Sequence, residues 1–300
     1  MVTSMMRRIL VPLDGSPTAE AILSHLRRLP IRHESEIILF QALPPAPFED
    51  GKEPEKYLRR VSFQMTNDGY PSRYLLRPGL AAESILETAV EERASMIALS
   101  THGRTGVARW VLGSVAEKVL QASPLPVLVA RSFPFPGSQG HLESLPIRSF
   151  LVPLDGSRLS LAALDPLLHL ARGVDANVTL LHVTEPTPYD GRWEPPEETL
   201  KEADLLLRSA CIPALVEHRK GDPGDQILKA IEGGGFDLVA MTTHGRTGPS
   251  RWVFGSVTAK VLRSATVPLL VIRQPSRATV ARFLAAEKSA ENPAPQYGVS

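Results

Sequence analysis

A stretch of more than a hundred residues occurs twice in this chain, and that duplication leaves few folds open. Arg8-Ile9-Leu10-Val11-Pro12-Leu13-Asp14-Gly15-Ser16 returns as Arg148-Ser149-Phe150-Leu151-Val152-Pro153-Leu154-Asp155-Gly156-Ser157, with Asp14 and Asp155 141 residues apart. Further on, Thr101-His102-Gly103-Arg104-Thr105-Gly106 returns as Thr243-His244-Gly245-Arg246-Thr247-Gly248, 142 residues later. Each hexapeptide leads on to Arg-Trp-Val (Arg109, Trp110; Arg251, Trp252) and then to Gly113-Ser114-Val115 or Gly255-Ser256-Val257. In both copies nine residues separate the His-Gly glycine from the Gly-Ser pair. From Thr101 to Arg131 about three fifths of positions match their counterparts. A near-constant offset over such a length means two copies of one domain. A chain of 300 residues accommodates two cores of about 130 residues each.

Within each copy, short apolar runs alternate with helical spacing. Strands are expected at 9–13, 36–42, 72–76, 96–100 and 126–130, with helices at 18–29, 54–66, 83–93 and 114–121. The second copy places strands at 149–154, 177–183, 214–219, 237–242 and 268–272, with helices at 159–171, 197–209, 224–232 and 257–264. Such alternation predicts a parallel sheet covered on both faces, wound by right-handed crossovers. The boundaries read as a first domain over 1–132, a proline-bearing linker over 133–146, a second domain over 147–275, and a polar, disordered tail over 276–300.

Composition narrows the function classes. Thirty-three basic and 32 acidic residues give a formal charge of +1, so the chain as a whole has no field for nucleic acid or an acidic membrane. Its apolar runs fall short of the roughly 18 residues of a membrane span. The single cysteine, Cys211, forms no intramolecular disulfide, and the expectation is a soluble cytoplasmic protein.

In a parallel α/β sheet, ligands collect beyond the carboxyl ends of strands, where the winding reverses. The most distinctive residues fall there: Asp14-Gly15-Ser16 after the first strand, and Gly103 through Ser114 after the fourth. Glycines let backbone amides approach an anion, and a helix start adds a positive dipole end. Ser114 and Ser256 would offer phosphate an amide and a hydroxyl, and Asp14 and Asp155 suit an amino group or sugar hydroxyl. Arg104 and Arg246 either reach phosphate or stay solvated. Plainer roles stand beside these. Ser114 with Glu117 spells a capping box, which the second copy breaks with Ala259, and either aspartate serves equally to turn the chain. His102 and His244 lack an identifiable Asp or Cys partner and fit a structural hydrogen bond better than catalysis. Trp110 and Trp252 read as core or interface anchors. The chain lacks the phosphate-loop, dinucleotide and nucleophile-elbow patterns, and its histidines and Cys211 show no metal-ligand spacing.

The strand-end Val-Pro-Leu-Asp-Gly-Ser and the His-Gly-(nine)-Gly-Ser-Val pattern, each present twice, resemble the universal stress protein family in its tandem form. The likeness covers 7–273. It implies an α/β fold of two tandem doubly wound (Rossmann-like) five-stranded parallel-sheet domains, strand order 3-2-1-4-5, packed as a pseudo-dimer through the fifth strands. It also implies ATP, or AMP or ADP, with Mg²⁺ held through the phosphates. On the family's Gly-x-x-Gly-(nine)-Gly-Ser/Thr pattern, Gly103, Gly113, Ser114 and Gly245, Gly255, Ser256 match, while Ser100 and Thr242 replace the leading glycine. The resemblance further places Pro12, Asp14, Ala42 and Val115, and Pro153, Asp155, Val183 and Val257, around the nucleotide. The function expected is an adenine-nucleotide-binding regulator of stress adaptation with two pseudo-equivalent sites and little catalysis. A slow ATP hydrolase and an interaction scaffold without nucleotide are the alternatives.

Overall fold

The computed structural model describes residues 7–31, 35–44, 52–101, 112–131, 145–172, 174–185, 197–243 and 254–273. The first copy runs β1 (Arg8–Pro12), α1 (Pro17–Arg28), β2 (Glu36–Leu43), α2 (Lys52–Asn67), β3 (Ser72–Pro78), α3 (Ala81–Glu91), β4 (Met96–Ser100), α4 (Ser114–Ala122) and β5 (Val127–Ala130). The second runs β6 (Ser149–Leu154), a 3₁₀ turn (Ser160–Ala163), α5 (Leu164–Ala171), β7 (Asn177–Thr184), α6 (Glu197–Ser209), β8 (Ala214–Lys220), α7 (Pro223–Glu232), β9 (Leu238–Thr242), α8 (Ser256–Ser264) and β10 (Leu269–Ile272).

The strands are apolar on both faces because helices cover both. In β1, Ile9 and Val11 face one cluster with α1 and α2, while Leu10 faces the other with α3 and α4. Helix α1 shows how the local sequence sets an element. Ser16 accepts the Ala19 amide as N-cap, Pro17 opens the first turn, and Ala19, Ile22, Leu23 and Leu26 turn inward. The second copy departs here: the helix expected over 159–171 is a 3₁₀ turn followed by α5. Pro166 has no amide proton, so it is accommodated only where a helix restarts and that donor is not needed.

The strands form one sheet of ten in the order β3-β2-β1-β4-β5-β10-β9-β6-β7-β8. Two five-stranded sheets packed through their fifth strands were expected; the β5–β10 pairing merges them into one continuous sheet of ten. That pair is antiparallel, with Leu128 opposite Leu270 and Val129 opposite Leu269, and every other pair is parallel. Both edge strands that would expose unpaired backbone are thereby joined. The cluster that packs α1 also contains Leu270, Ile272 and Phe150, so one apolar layer runs through the junction. Polar clasps reinforce it. The half-buried Arg131 guanidinium donates to the Arg263 carbonyl at the end of α8, and burial pulls its pKa below the ordinary arginine range. Arg28 meets Asp237 at 2.7 Å and donates to the Leu145 carbonyl at 2.9 Å. The other Asp237 oxygen accepts the amides of Arg148 and Ser149 at 3.0 Å.

Candidate functional site

Strand β1 lies between β2 and β4, and β6 between β7 and β9, so the winding reverses at β1/β4 and at β6/β9. Within each half the strands are parallel, which brings the end of β1 to the same sheet edge as the ends of β2 and β4. That edge gathers Pro12, Asp14, Ala42, Ser100 and the start of α4. Its counterpart in the second half gathers Pro153, Asp155, Val183, Thr242 and the start of α8.

The aspartates perform the turn role. An oxygen of Asp14 accepts the Ser16 amide at 3.0 Å and the Ser16 hydroxyl at 2.5 Å, and Asp155 does the same for Ser157 at 3.0 and 2.6 Å. Between each pair, Gly15 and Gly156 take φ of 83° and 85°, the left-handed region where a side chain is strained. The carboxylates are half-buried and held in place by these bonds.

At the end of β4, the Gly113 amide donates to the Thr101 carbonyl at 2.7 Å; Gly255 repeats this with Thr243 at 3.0 Å. One expectation changes. Ser114 is not the cap of α4: Gly113 occupies that position with φ −60°, and no side chain caps the helix. Gly255, with φ −55°, caps α8 in the same way, leaving Ser256 inside the first turn. A Cβ on Gly255 would stand 3.0 Å from the Thr243 carbonyl oxygen, close enough that this carbonyl would have to give by a few tenths of an ångström to admit a side chain. With the Gly113 and Gly255 amides already bonded, the donors left for an anion begin at Ser114 and Ser256. Both serines are exposed, and neither first turn has a side-chain cap.

The two halves differ in detail. The Ser100 hydroxyl is buried without a partner among the described residues. In the second half the Thr258 hydroxyl donates to the Thr242 carbonyl at 3.0 Å, a tie that Ala116 cannot make in α4. The first turn of α4 carries Glu117, which works against an anion; that of α8 carries no acid. Val115 is exposed, whereas Val257 packs on the core, as do Ala42 and Val183. Gly103, Arg104, Gly245 and Arg246, with His102, His244, Trp110 and Trp252, lie outside the described residues.

Two polar residues at this edge escaped the sequence reading. Gln41 is buried, its carbonyl oxygen without a partner among the described residues, and His182 holds the matching place in β7. The available signal was a lone polar residue inside an otherwise apolar run, as in Ile37-Ile38-Leu39-Phe40-Gln41-Ala42. Among the described residues, no group of three or more His, Cys, Asp or Glu is placed to hold a metal, and no helix is long and apolar enough to cross a membrane.

A doubly wound sheet whose winding reverses in each half defines the class as a Rossmann-like α/β protein. A sequence model of the universal stress protein family matches residues 5–131 and again 146–273, so the chain belongs to that family. A universal stress protein of Mycolicibacterium smegmatis is 27% identical over 294 residues, 88% of this chain and 96% of its own length. One from Methanocaldococcus jannaschii is 29% identical over 143 residues, 43% of this chain and 84% of its own. The crystal structure of a universal stress protein from Archaeoglobus fulgidus superposes with a TM-score of 0.72 at 20% identity, over 91% of this chain and all of that one; it shares the fold.

Proposed function

We propose that this protein is an adenine-nucleotide-binding regulator of stress adaptation, acting in the cytoplasm. Each half, 1–132 and 147–275, is then a domain of five parallel strands in the order 3-2-1-4-5, and the linker over 133–146 joins them as a pseudo-dimer. The observation that carries the reading is the pair of helix starts without a side-chain cap, at α4 and α8, each at the same sheet edge as an Asp-Gly-Ser turn across a winding reversal. Backbone donors of the first turn and the Ser114 or Ser256 hydroxyl suit phosphate oxygens. Asp14 and Asp155 have carboxylates fixed in orientation, which suits a ribose hydroxyl, and the buried Ser100 hydroxyl adds an unsatisfied polar group at the first crevice. These residues fit ATP, AMP or ADP, with Mg²⁺ bound through the phosphates rather than by a cluster of protein carboxylates. Ala42 and Val183 flank the adenine, and Gly103, Arg104, Gly245 and Arg246 complete the phosphate loops.

Calorimetric titration with ATP and Mg²⁺ tests this. Ser114→Ala and Ser256→Ala should each weaken one class of site about tenfold, the cost of one hydrogen bond to a charged group. Undetectable binding at millimolar ATP would reject the nucleotide reading and favour the scaffold.

A further inference from the structure

Among the described residues, β3 and β8 are the two outer strands of the sheet, and they are finished differently. In β3 every residue before Pro78 is half-buried, and ion pairs cover the strand: Arg73 with Glu36 and Glu92, and Arg77 with Glu91. In the matching register of the second half, Leu215 takes the place of Arg73 and Val216 that of Tyr74. Leu215 is 65% exposed and Val216 38%. Charge on an outer strand is what keeps it from pairing with another chain, and the first half of β8 carries none. Leu205 and Leu206 on α6, the helix that packs over β8, are exposed as well.

The backbone of β8 shows which groups face outward. The Pro213 carbonyl accepts from the Val178 amide, and the Gly221 amide donates to the Thr184 carbonyl. In a parallel pair the bonding alternates, so the peptide groups of Leu215, Glu217 and Arg219 are turned to β7 and those of Val216 and Lys220 away from it. We propose that β8 pairs with β8 of a second copy of this chain, antiparallel about a twofold axis, joining two ten-stranded sheets edge to edge. Charge selects the register. Centred on Glu217, the pair would set two carboxylates against each other. Centred on His218, it sets Glu217 of each copy opposite the partner's Arg219, and Val216 opposite the partner's Lys220, whose aliphatic stem covers it. Glu217 and Arg219 already meet at 2.7 Å within the chain, so the four groups alternate in sign across the axis. The same axis brings the two α6 helices to one face of the joined sheet, where Leu205 and Leu206 need cover. Since ion pairs guard β3, each chain offers one such edge, and the assembly closes at two copies. This interface does not depend on the nucleotide reading, because it uses neither helix start nor either Asp-Gly-Ser turn.

The test is sedimentation equilibrium of the full-length protein at micromolar concentrations, with circular dichroism to show that each variant is folded. Wild type should sediment at twice the chain mass. Leu215→Arg with Val216→Lys, which gives β8 a charged edge like that of β3, should leave a monomer. Glu217→Arg sets like charges opposite each other on both sides of the axis and should weaken the dimer about tenfold or more. Adding Arg219→Glu to it restores opposite charges across the axis and should recover the dimer, which a merely structural effect of Glu217 would not do. A monomeric wild type would overturn the proposal and leave this edge to a strand of a different protein. A dimer that survives Leu215→Arg with Val216→Lys would overturn it too, by placing the contact on another face.

Discussion

Between pH 7 and pH 4.5 the folded protein should lose about 2.5 kcal/mol of stability through His25 alone, and His25→Leu should abolish that part of the loss. His25 lies on α1 with its Nδ1 buried and without a partner among the described residues. Burial first, and the Arg28 charge second, lower its pKa from 6.5 to about 4. Above pH 6.5 the ring is neutral in both the folded and unfolded chains, and His25 contributes no pH dependence. Between 6.5 and about 4 the unfolded chain takes up a proton that the folded chain refuses. Each pH unit crossed downward therefore costs about 1.4 kcal/mol, until the folded ring also titrates. Carboxylates titrate near the lower end of this window, so the readout is the difference between wild type and His25→Leu in urea denaturation at the two pH values. Parallel losses in both proteins would show that His25 is not the group responsible.

The second large effect concerns the junction of the halves. Leu128→Ala and Leu270→Ala should each destabilise the whole protein by about 2–5 kcal/mol, because both side chains are fully buried and each truncation leaves a cavity. The two leucines face each other across the antiparallel pair, so the double variant should cost less than the sum of the singles. Thermal unfolding monitored by circular dichroism and by calorimetry checks this. A single cooperative transition that shifts as one is expected, since one apolar layer crosses the junction. Unchanged stability in either single variant would mean that the halves cohere without these contacts.

Much of this architecture could be read from residues. The runs Ile9-Leu10-Val11 and Ile37-Ile38-Leu39-Phe40 declare buried strands because nothing polar interrupts them, and the doubled Asp-Gly-Ser announces its turn because only glycine relaxes at φ near 85°. What escaped was geometry made by distant residues. Nothing near Arg28 points to Asp237, 209 positions away. The engagement of the Gly113 amide by Thr101 depends on how α4 returns to β4, and it moves the first uncommitted amide of the helix start one residue along. The 3₁₀ turn before α5 was legible in Pro166 but was outweighed by helical spacing on either side. The inequivalence of the two crevices arises from small exchanges, Ala116 for Thr258 and Gln41 for His182, whose meaning appears only when the neighbouring carbonyls are in view.

The reversal of strand direction between β5 and β10 has a consequence for how the molecule can be read by others. Since strands run one way in the first half and the opposite way in the second, their carboxyl ends emerge at opposite rims of the ten-stranded sheet. On the nucleotide reading proposed above, a partner resting on one rim would sense the occupancy of one half and be blind to the other. Reporting on both at once requires a partner that encircles the sheet, or two partners approaching from opposing sides.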